Sequence, residues 1–246
     1  MPFIKSHKLL FGAMALAFAM ASPVHAQQKS VAVTAIVEHP ALDAVRDGVK
    51  EGLAAEGFEE GKNLQWQYQS AQGNTGTAAQ IARKFIGDQV DVIVAIATPS
   101  AQAVAAATRD IPLVYSAVTD PVAAKLVPSM AASGSNITGA SDALELDKQI
   151  DLIKRVAPNA KRVGMVYNPG EANSVVVVEQ LRTLLPKHGM SLVEAAAPRS
   201  VDVGSAGRSL IGKADVFYTN TDNNVVSAYE ALVKVGMDAK IPLVAA

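Results

Sequence analysis

Two stretches of the chain share one pattern and decide its fold: residues 29–53, KSVAVTAIVEHPALDAVRDGVKEGL, and residues 161–185, KRVGMVYNPGEANSVVVVEQLRTLL. Each runs from an apolar segment through short polar residues into a helical pattern, which is typical of a strand, loop and helix in a parallel sheet. A second pair, residues 91–118 and 215–246, repeats this order. The repeat predicts an α/β fold of two Rossmann-like lobes, with parallel sheets flanked by helices. The loops at the carboxyl ends of the strands should line a cleft between the lobes.

The repeat divides the chain into a leader, residues 1–26, an N-terminal lobe, residues 27–142, and a C-terminal lobe, residues 143–246. Strands are predicted near residues 31–37, 63–69, 91–97, 111–117 and 136–140, and near 162–167, 191–196, 215–219 and 241–244. Helices are predicted near residues 41–56, 77–86, 101–108 and 144–156. Parallel strands need cover on both faces, and the last strand is not followed by a helix. We therefore expect that part of the C-terminal lobe is missing from this chain.

The leader has the three parts of a secretory signal peptide. Lys5 and Lys8 form a short basic region, residues 9–21 are apolar, and Val24 and Ala26 are the small residues before a cleavage site. The apolar part is shorter than the roughly 20 residues of a spanning helix, although an uncleaved anchor stays open. Because the chain has no cysteine, a lipid-modified N-terminus and disulfides are excluded. We expect cleavage before Gln27 and a periplasmic protein that is not a lipoprotein.

Composition argues against several classes of function. The chain has 22 Lys and Arg against 23 Asp and Glu, and loss of the leader makes it more acidic, so nothing favours nucleic-acid binding. After the leader, only His39 and His188 remain, in different halves and without a carboxylate cluster at ligand spacing. We therefore expect neither a metal site nor a cofactor.

Two short polar segments are candidates for binding a carboxylate at helix N-termini. Thr98 and Ser100 follow a buried strand, and Ser100 is expected to be the N-cap, which leaves the backbone amides of residues 101 and 102 free. Asn173 and Ser174 hold a similar place in the second lobe. The alternative is that Ser100 only caps its helix.

An amino acid ligand also needs acceptors for its ammonium, and Asp142 and Asp222 are the first candidates because both follow strands. The alternative for each is a helix cap. The remaining candidates lie in loops that follow strands: Glu38, His39, Thr119, Asp120, Asn168, Glu171 and Asn220. The alternative for Glu38, His39 and Glu171 is an exposed turn. Thr119 and Asp120 are expected to line the cleft or to steady the hinge, and Asp120 before a proline is also a common turn start. Trp66 lies in an alternating strand and is expected in the core rather than against a ligand.

Several segments resemble the ABC transporter substrate-binding protein family that includes tryptophan and tyrosine binders. They occur in the family's order across residues 29–246: EHPALDAVRDGVKEGLAAEGF, YQSAQGN, DVIVAIATPSAQAV, IPLVYSAVTDPVAAKLV, NITGASD and YNPGEANS. The order of these segments is more specific than any one of them. Family members usually continue for several tens of residues beyond the strand IPLV at residues 241–244, which agrees with the expected missing part.

The resemblance implies a type I periplasmic-binding-protein architecture and a function without catalysis. Such a monomer would close on a small solute, an amino acid and possibly an aromatic one, and deliver it to a permease in the inner membrane. Two alternatives stay open: an extracytoplasmic ligand sensor, or an enzyme on a related α/β fold. An enzyme would need a nucleophile with a base, or a metal, and the sequence has no GxSxG elbow and no evident Ser-His-Asp set.

Overall fold

Each copy of the repeat forms its own parallel sheet in the computed structural model, which describes residues 28–131 and 134–246. The predicted signal peptide, residues 1–26, lies outside the described residues. None of the helices in residues 28–131 and 134–246 combines the length and the apolar character that crossing a membrane requires.

The first sheet has five parallel strands in the order β2-β1-β3-β4-β5. The strands are β1 (Lys29–Ala35), β2 (Leu64–Ser70), β3 (Val92–Ile96), β4 (Leu113–Val118) and β5 (Ile137–Ser141). The helices between them are α1 (Pro40–Ala55), α2 (Thr75–Gly87) and α3 (Thr98–Ala107).

The second sheet has four parallel strands in the order β7-β6-β8-β9, which is the order of the first four strands of the first sheet. Its strands are β6 (Arg162–Tyr167), β7 (Ser191–Ala196), β8 (Val216–Thr219) and β9 (Leu243–Ala245). Its helices are α4 (Leu146–Val156), α5 (Ala172–Leu184), α6 (Val203–Ser209), α7 (Asn223–Ser227) and α8 (Tyr229–Ala239). The repeat in sequence is therefore a repeat in topology.

Strand β1 shows why these segments form buried strands. Val31, Val33 and Ala35 pack on the face covered by α1, while Ala32 packs on the face covered by α2 and α3. Burying a Val, Leu or Ile side chain contributes about 1.5–3 kcal/mol. The predicted strand begins and ends two residues later than β1, because Ile36 and Val37 are buried but follow the last residue that pairs with β2 and β3.

The two lobes meet where β5 leads into α4. A Cβ at Gly139 would meet the backbone oxygen and the ring of Tyr115, so only glycine allows β5 to approach β4 this closely. The hydroxyls of Thr119, after β4, and Thr221, after β8, form a 2.9 Å hydrogen bond between the lobes. The carboxyl ends of both sheets therefore face one another.

Candidate functional site

A cavity of about 390 Å³ lies between the lobes at the carboxyl ends of the strands. The first lobe contributes residues that follow β1, β3 and β5 and a residue near the end of β4, and the second contributes residues at or after the ends of β6, β8 and β9. This is where parallel α/β sheets usually bind ligands. Among the predicted site residues, those that line the cavity are His39, Thr98, Asp142, Asn173 and Asn220.

The junction of β3 and α3 differs from the sequence prediction. Helix α3 begins at Thr98, and its N-cap is Ala97 rather than Ser100. The amide of Ala101 is not free, because it donates to the oxygen of Ala97 at 3.1 Å. The strand turns directly into the helix at Ala97, so Ser100 lies within the first helical turn. The prediction of a Ser100 cap was therefore wrong.

The hydroxyls of this junction are unpaired within the described part of the chain. Thr98 and Ser100 are buried, and their side-chain oxygens have no hydrogen-bond partner among the described residues. A buried polar group without a partner destabilises a protein by about 1–3 kcal/mol. Thr98 lines the cavity directly, so its hydroxyl is the better placed of the two to bind a ligand.

Two alanines in the cavity wall adopt backbone conformations that favour glycine. Ala97 has φ 71° and Ala117 has φ 52°, and both line the cavity. Such conformations destabilise a non-glycine residue by about 1–3 kcal/mol and cluster at functional sites. The sequence contains no signal for this strain, because alanine does not predict a positive φ.

Asp142 is the acidic residue among the described residues that line the cavity. It lines the cavity after β5, and its Oδ1 is buried without a hydrogen-bond partner within residues 28–131 and 134–246. Burial raises the pKa of this carboxyl, and the hydroxyl of Thr119 lowers it in part. Helix α4 begins at Leu146 with Glu145 as its N-cap, so the alternative that Asp142 caps a helix was wrong.

Both carboxylate oxygens of Asp222 accept hydrogen bonds, unlike Oδ1 of Asp142, which accepts none from the described residues. It is 0% exposed, and its carboxylate accepts hydrogen bonds from the amide of Asn168 at 2.6 Å, the hydroxyl of Ser174 at 2.6 Å and the amide of Val225 at 3.0 Å. It is the N-cap of α7. The structure therefore favours the alternative for Asp222, a helix cap, and it leaves this carboxylate outside the cavity wall.

Glu171 lies beside Asp222 and is bound in the same way by uncharged donors. Its Oε1 accepts from Asn168 at 3.2 Å, and its Oε2 accepts from the side chains of Asn173 at 3.1 Å and Asn223 at 2.5 Å and from the amide of Asn223 at 3.1 Å. Burial and the neighbouring charge of Asp222 raise the pKa of Glu171. Burial also raises the pKa of Asp222. The second lobe thus holds two buried carboxyls behind the cavity wall.

The predicted pair Asn173 and Ser174 lies inside α5, which begins one residue earlier at Ala172. Ser174 donates its hydroxyl hydrogen to Asp222 and accepts from the side chain of Asn220 at 3.3 Å. A ligand carboxylate near Ser174 would meet the charge of Asp222, so the geometry does not favour the predicted anion contact at Ser174. Asn173 remains in the wall of the cavity.

The other predicted residues have structural partners or face solvent. His39 lines the cavity and caps α1, since its Nδ1 accepts from the amide of Ala41 at 3.2 Å. Glu38 is exposed, as its alternative predicted. Asp120 starts a turn by accepting from the amides of residues 122 and 123 at 3.0 and 2.9 Å. Thr119 forms the hydrogen bond between the lobes.

Much of the cavity wall is apolar, and sequence reasoning missed this part. Leu42 and Val45 of α1 and Val226 and Tyr229 of the second lobe all line the cavity. The other lining residues that the sequence did not indicate are Ala41, Ala97, Ala117, Thr219, Thr221, Asn223, Ala245 and Ala246. A usable signal was their position, because several lie in the first turn after a buried strand. Trp66 packs half-buried against the α1 side of the first sheet, as predicted, with Lys50 Nζ 5.7 Å from its ring centre.

The site contains no arrangement for a metal. Within residues 28–131 and 134–246, no three His, Cys, Asp or Glu side chains are grouped to hold an ion. Neither lysine nor arginine lines the cavity in this described part of the chain. The polar groups available there are hydroxyls, amides, His39 and the carboxylate of Asp142, which suit an uncharged or cationic group on one side of a ligand.

Comparisons with known proteins place this geometry in a family. Residues 30–246 match the family described as ABC transporter substrate binding protein. The chain is 42% identical over 219 residues to the tyrosine-binding protein of Clostridioides difficile (strain R20291). The match covers 89% of the chain and 64% of that curated relative, so the chain spans less than two thirds of the relative's length.

Two solved structures resemble the chain to different degrees. A structure described as the ABC domain in complex with L-Trp from Streptococcus pneumonia is 30% identical, with a TM-score of 0.86. A ligand-free, open structure of a substrate-binding protein with adhesive properties from Clostridium difficile is 44% identical, with a TM-score of 0.62. Each comparison covers 89% of this chain and 74% of the other.

The chain belongs to the ABC transporter substrate-binding protein family. The resemblance found in the sequence is confirmed, and so is the type I periplasmic-binding-protein fold, two α/β lobes with parallel sheets flanked by helices.

Proposed function

We propose that this protein captures an α-amino acid with an aromatic side chain between its lobes and delivers it to the permease of an ABC importer. The observation that carries the proposal is Oδ1 of Asp142, a buried acceptor without a partner among the described residues, in a cavity with largely apolar walls. A ligand ammonium would give Asp142 the charged partner that a buried carboxylate needs.

The ligand carboxylate would bind at the start of α3. The hydroxyls of Thr98 and Ser100 lack partners within the described part of the chain, and the N-terminus of a helix of this length favours an anion. Asp142 and Thr98 both line the cavity, so one ligand would contact both. Binding would then satisfy polar atoms that the protein itself leaves unpaired.

An aromatic side chain suits the rest of the cavity. Leu42, Val45, Val226 and Tyr229 supply apolar surface on both sides, and a volume of about 390 Å³ falls within the range of small-molecule sites. The names of two relatives, a tyrosine-binding protein and a domain in complex with L-Trp, support the same ligand class.

The comparisons also support a closed arrangement of the lobes in this structure. The chain overlays better on the complex with L-Trp than on the ligand-free, open structure, although its sequence is closer to the latter. The hydrogen bond between Thr119 and Thr221 joins the lobes in this arrangement. Closing around the ligand would bury it, and opening would release it, as in hinge-type binding proteins.

The family and the predicted leader support a biological setting for this capture. A monomer, exported by cleavage before Gln27 into the periplasm, would carry the solute to an inner-membrane permease without chemical change. The relatives are substrate-binding proteins rather than enzymes, which supports a function without catalysis. The acidic charge balance gives no reason to expect a nucleic-acid partner.

Calorimetry on the full chain tests the proposal with three aromatic amino acids and, for tyrosine, with two truncated analogues. L-Tyrosine carries both charged groups, 3-(4-hydroxyphenyl)propionate lacks the ammonium, and tyramine lacks the carboxylate. We expect L-tyrosine, L-tryptophan or L-phenylalanine to bind, and each truncated analogue of the bound amino acid to bind at least tenfold more weakly. A bound ligand at 100 times its dissociation constant should also add about 2.7 kcal/mol of stability. Stabilisation by sugars or aliphatic amino acids in place of these three would refute the proposal.

A further inference from the structure

Two amide side chains in the second-lobe wall leave their oxygens without a partner. Asn173 and Asn220 line the cavity and are each 3% exposed. The Oδ1 atom of each has no hydrogen-bond partner in residues 28–131 and 134–246. Since a buried acceptor without a partner is destabilising by about 1–3 kcal/mol, neighbouring groups must hold both amides in this orientation.

Glu171 holds the amide of Asn173. The Nδ2 group of Asn173 donates to Glu171 Oε2 at 3.1 Å and to the backbone oxygen of Thr221 at 2.9 Å, which uses both of its hydrogens. If the amide turned over, its oxygen would face a carboxylate and a carbonyl, neither of which donates a hydrogen bond. The orientation with Oδ1 left free is therefore the one that these two neighbours permit.

Asp222 holds the amide of Asn220 through Ser174. The hydroxyl of Ser174 has one hydrogen, which it donates to Asp222 Oδ2 at 2.6 Å. Its oxygen can then only accept, and it accepts from Nδ2 of Asn220 at 3.3 Å. A reversed Asn220 would place oxygen against oxygen. Each buried carboxyl of the second lobe thus determines which atom of one cavity amide remains for a ligand.

We infer that Glu171 and Asp222 are positioning residues which present the carbonyl oxygens of Asn173 and Asn220 to the ligand, so that with Asp142 they form a three-acceptor site for a primary ammonium. This inference rests on the proposed capture of an amino acid and specifies which of its groups the second lobe recognises. A primary ammonium has three N–H donors and no acceptor, which matches three acceptor oxygens. Glu171 and Asp222 themselves need not touch the ligand.

Replacing Glu171 with an apolar side chain of similar length tests the positioning. In Glu171→Met the amide of Asn173 loses an acceptor and can turn over. We expect the affinity for L-tyrosine to fall about tenfold or more, while the affinity for 3-(4-hydroxyphenyl)propionate stays within twofold. Glu171→Gln keeps one acceptor oxygen for Asn173, so its affinity for L-tyrosine should stay within about threefold of the parent's.

A matched control and a second variant separate positioning from general damage. Glu194→Met also removes a second-lobe carboxylate, but one bound by Arg182 and Tyr167 outside the cavity, and it should change neither affinity. Ser174→Ala frees Asn220 and should cause the same selective loss as Glu171→Met, which covers the case that Glu171→Met does not fold. Equal losses for both ligands, or no loss in either variant, would overturn the inference.

A measurement without ligand separates this inference from the proposed function. The hydrogen bonds that hold Asn173 lie within the second lobe, so they should persist in the ligand-free full chain. We expect NMR to show that the side-chain amide hydrogens of Asn173 exchange at least tenfold faster in Glu171→Met than in the parent. Unchanged exchange would refute the positioning. A third outcome is faster exchange in Glu171→Met together with a parent that binds none of the three amino acids. It would refute the proposed function, and the ammonium site with it, but not the positioning.

Discussion

The junction of β3 with α3 and the junction of β8 with α7 are the same unit of the repeat, yet they use their polar groups in opposite ways. In the first, the hydroxyls of Thr98 and Ser100 have no partner in the described residues. In the second, Asp222 caps its helix and accepts hydrogen bonds from Asn168, in the loop after β6, and from Ser174 of α5. Within the described residues, one junction leaves its polar side-chain atoms unpaired, and the other pairs them with groups of its own lobe. The same place in the repeat therefore does not imply the same role.

The difference begins at the residue that precedes each helix. Ala97 has no side-chain oxygen to cap α3, and its backbone has φ 71°. Asp222 has a carboxylate that caps α7. An N-cap with a side-chain acceptor stabilises a helix by about 0.5–2 kcal/mol. The first junction forgoes this stabilisation, which agrees with the use of a strained conformation at a binding site.

The largest effect is expected from Asp222→Ala. The substitution removes the cap of α7 and leaves the amide of Asn168 and the hydroxyl of Ser174 without their acceptor. We expect the free energy of unfolding, measured in urea, to fall by about 3 kcal/mol. A loss below about 1 kcal/mol would contradict a structural role of Asp222 as helix cap and hydrogen-bond acceptor.

Asp142→Asn should have the next largest effect, on binding rather than on folding. The variant keeps the size of the side chain but loses the charge that a ligand ammonium would meet. A charge-assisted hydrogen bond is worth about 1.5–3 kcal/mol, so calorimetry should show affinity for L-tyrosine about 30-fold lower. Asp120→Asn is the matched control, because Asp120 starts a turn outside the main cavity. Equal affinity in Asp142→Asn and the parent would show that Asp142 does not contact the ligand ammonium.

Thr98→Val should have a smaller effect and sharpens the comparison of the two junctions. Valine has the shape of threonine without the hydroxyl, which has no partner among the described residues. We expect affinity for L-tyrosine and for 3-(4-hydroxyphenyl)propionate to fall by about fivefold each, since both carry the carboxylate. The free energy of unfolding should stay the same or rise. A fall in stability like that of Asp222→Ala would mean that the junctions do not differ.

The smallest expected effect is on the pH dependence of stability. Burial and the mutual repulsion of two carboxyls raise the pKa of Glu171 above its usual 4.5. Between that value and the raised pKa the folded state binds more protons than the unfolded state, so its stability falls as pH increases. Urea titrations between pH 4 and 7 should show a flatter dependence in Glu171→Gln than in the parent, whereas an identical slope would contradict the raised pKa.

The ion pair of Arg162 with Asp215 makes stability depend on pH in the opposite direction. The guanidinium lowers the pKa of Asp215 from 3.8 to about 2. The contribution of this ion pair to the stability of the folded state is therefore complete above pH 3.8 and is lost as pH falls towards about 2. The two acidic groups can be distinguished because their pH windows do not overlap.

Most of the fold was predictable because its signal is local. The predicted bounds of β6 and β7 agree with the structure, since both are apolar runs between polar residues. Helix α6 was missed, because its seven residues include Gly204 and Gly207 and do not favour a helix by themselves. It forms through packing, as the contact that a Cβ at Gly207 would make with Leu232 indicates.

The candidate site was predictable in place but not in detail. The segments after β1, β3, β4, β5, β6 and β8 were expected at the cleft, and all except the segment after β4, with Thr119 and Asp120, contribute to the cavity. The predicted cap at Ser100 did not agree with the structure, and the sequence did not separate Asp222, which caps a helix, from Asp142, which has an oxygen unpaired among the described residues. An aspartate that caps its helix and an aspartate with a free oxygen look alike in sequence, because both follow a strand.

Periodicity and short-range turn signals specify the repeated strand, loop and helix units and the parallel sheets, so these elements could be derived from the order of the residues. Which polar atoms are left unpaired depends on the folded arrangement of the chain. Asp222 finds its donors at Asn168 and Ser174, which are 54 and 48 residues away in the chain. Oδ1 of Asp142 finds none among the described residues. Whether a buried polar atom is satisfied depends on groups that only the folded chain brings within hydrogen-bonding distance.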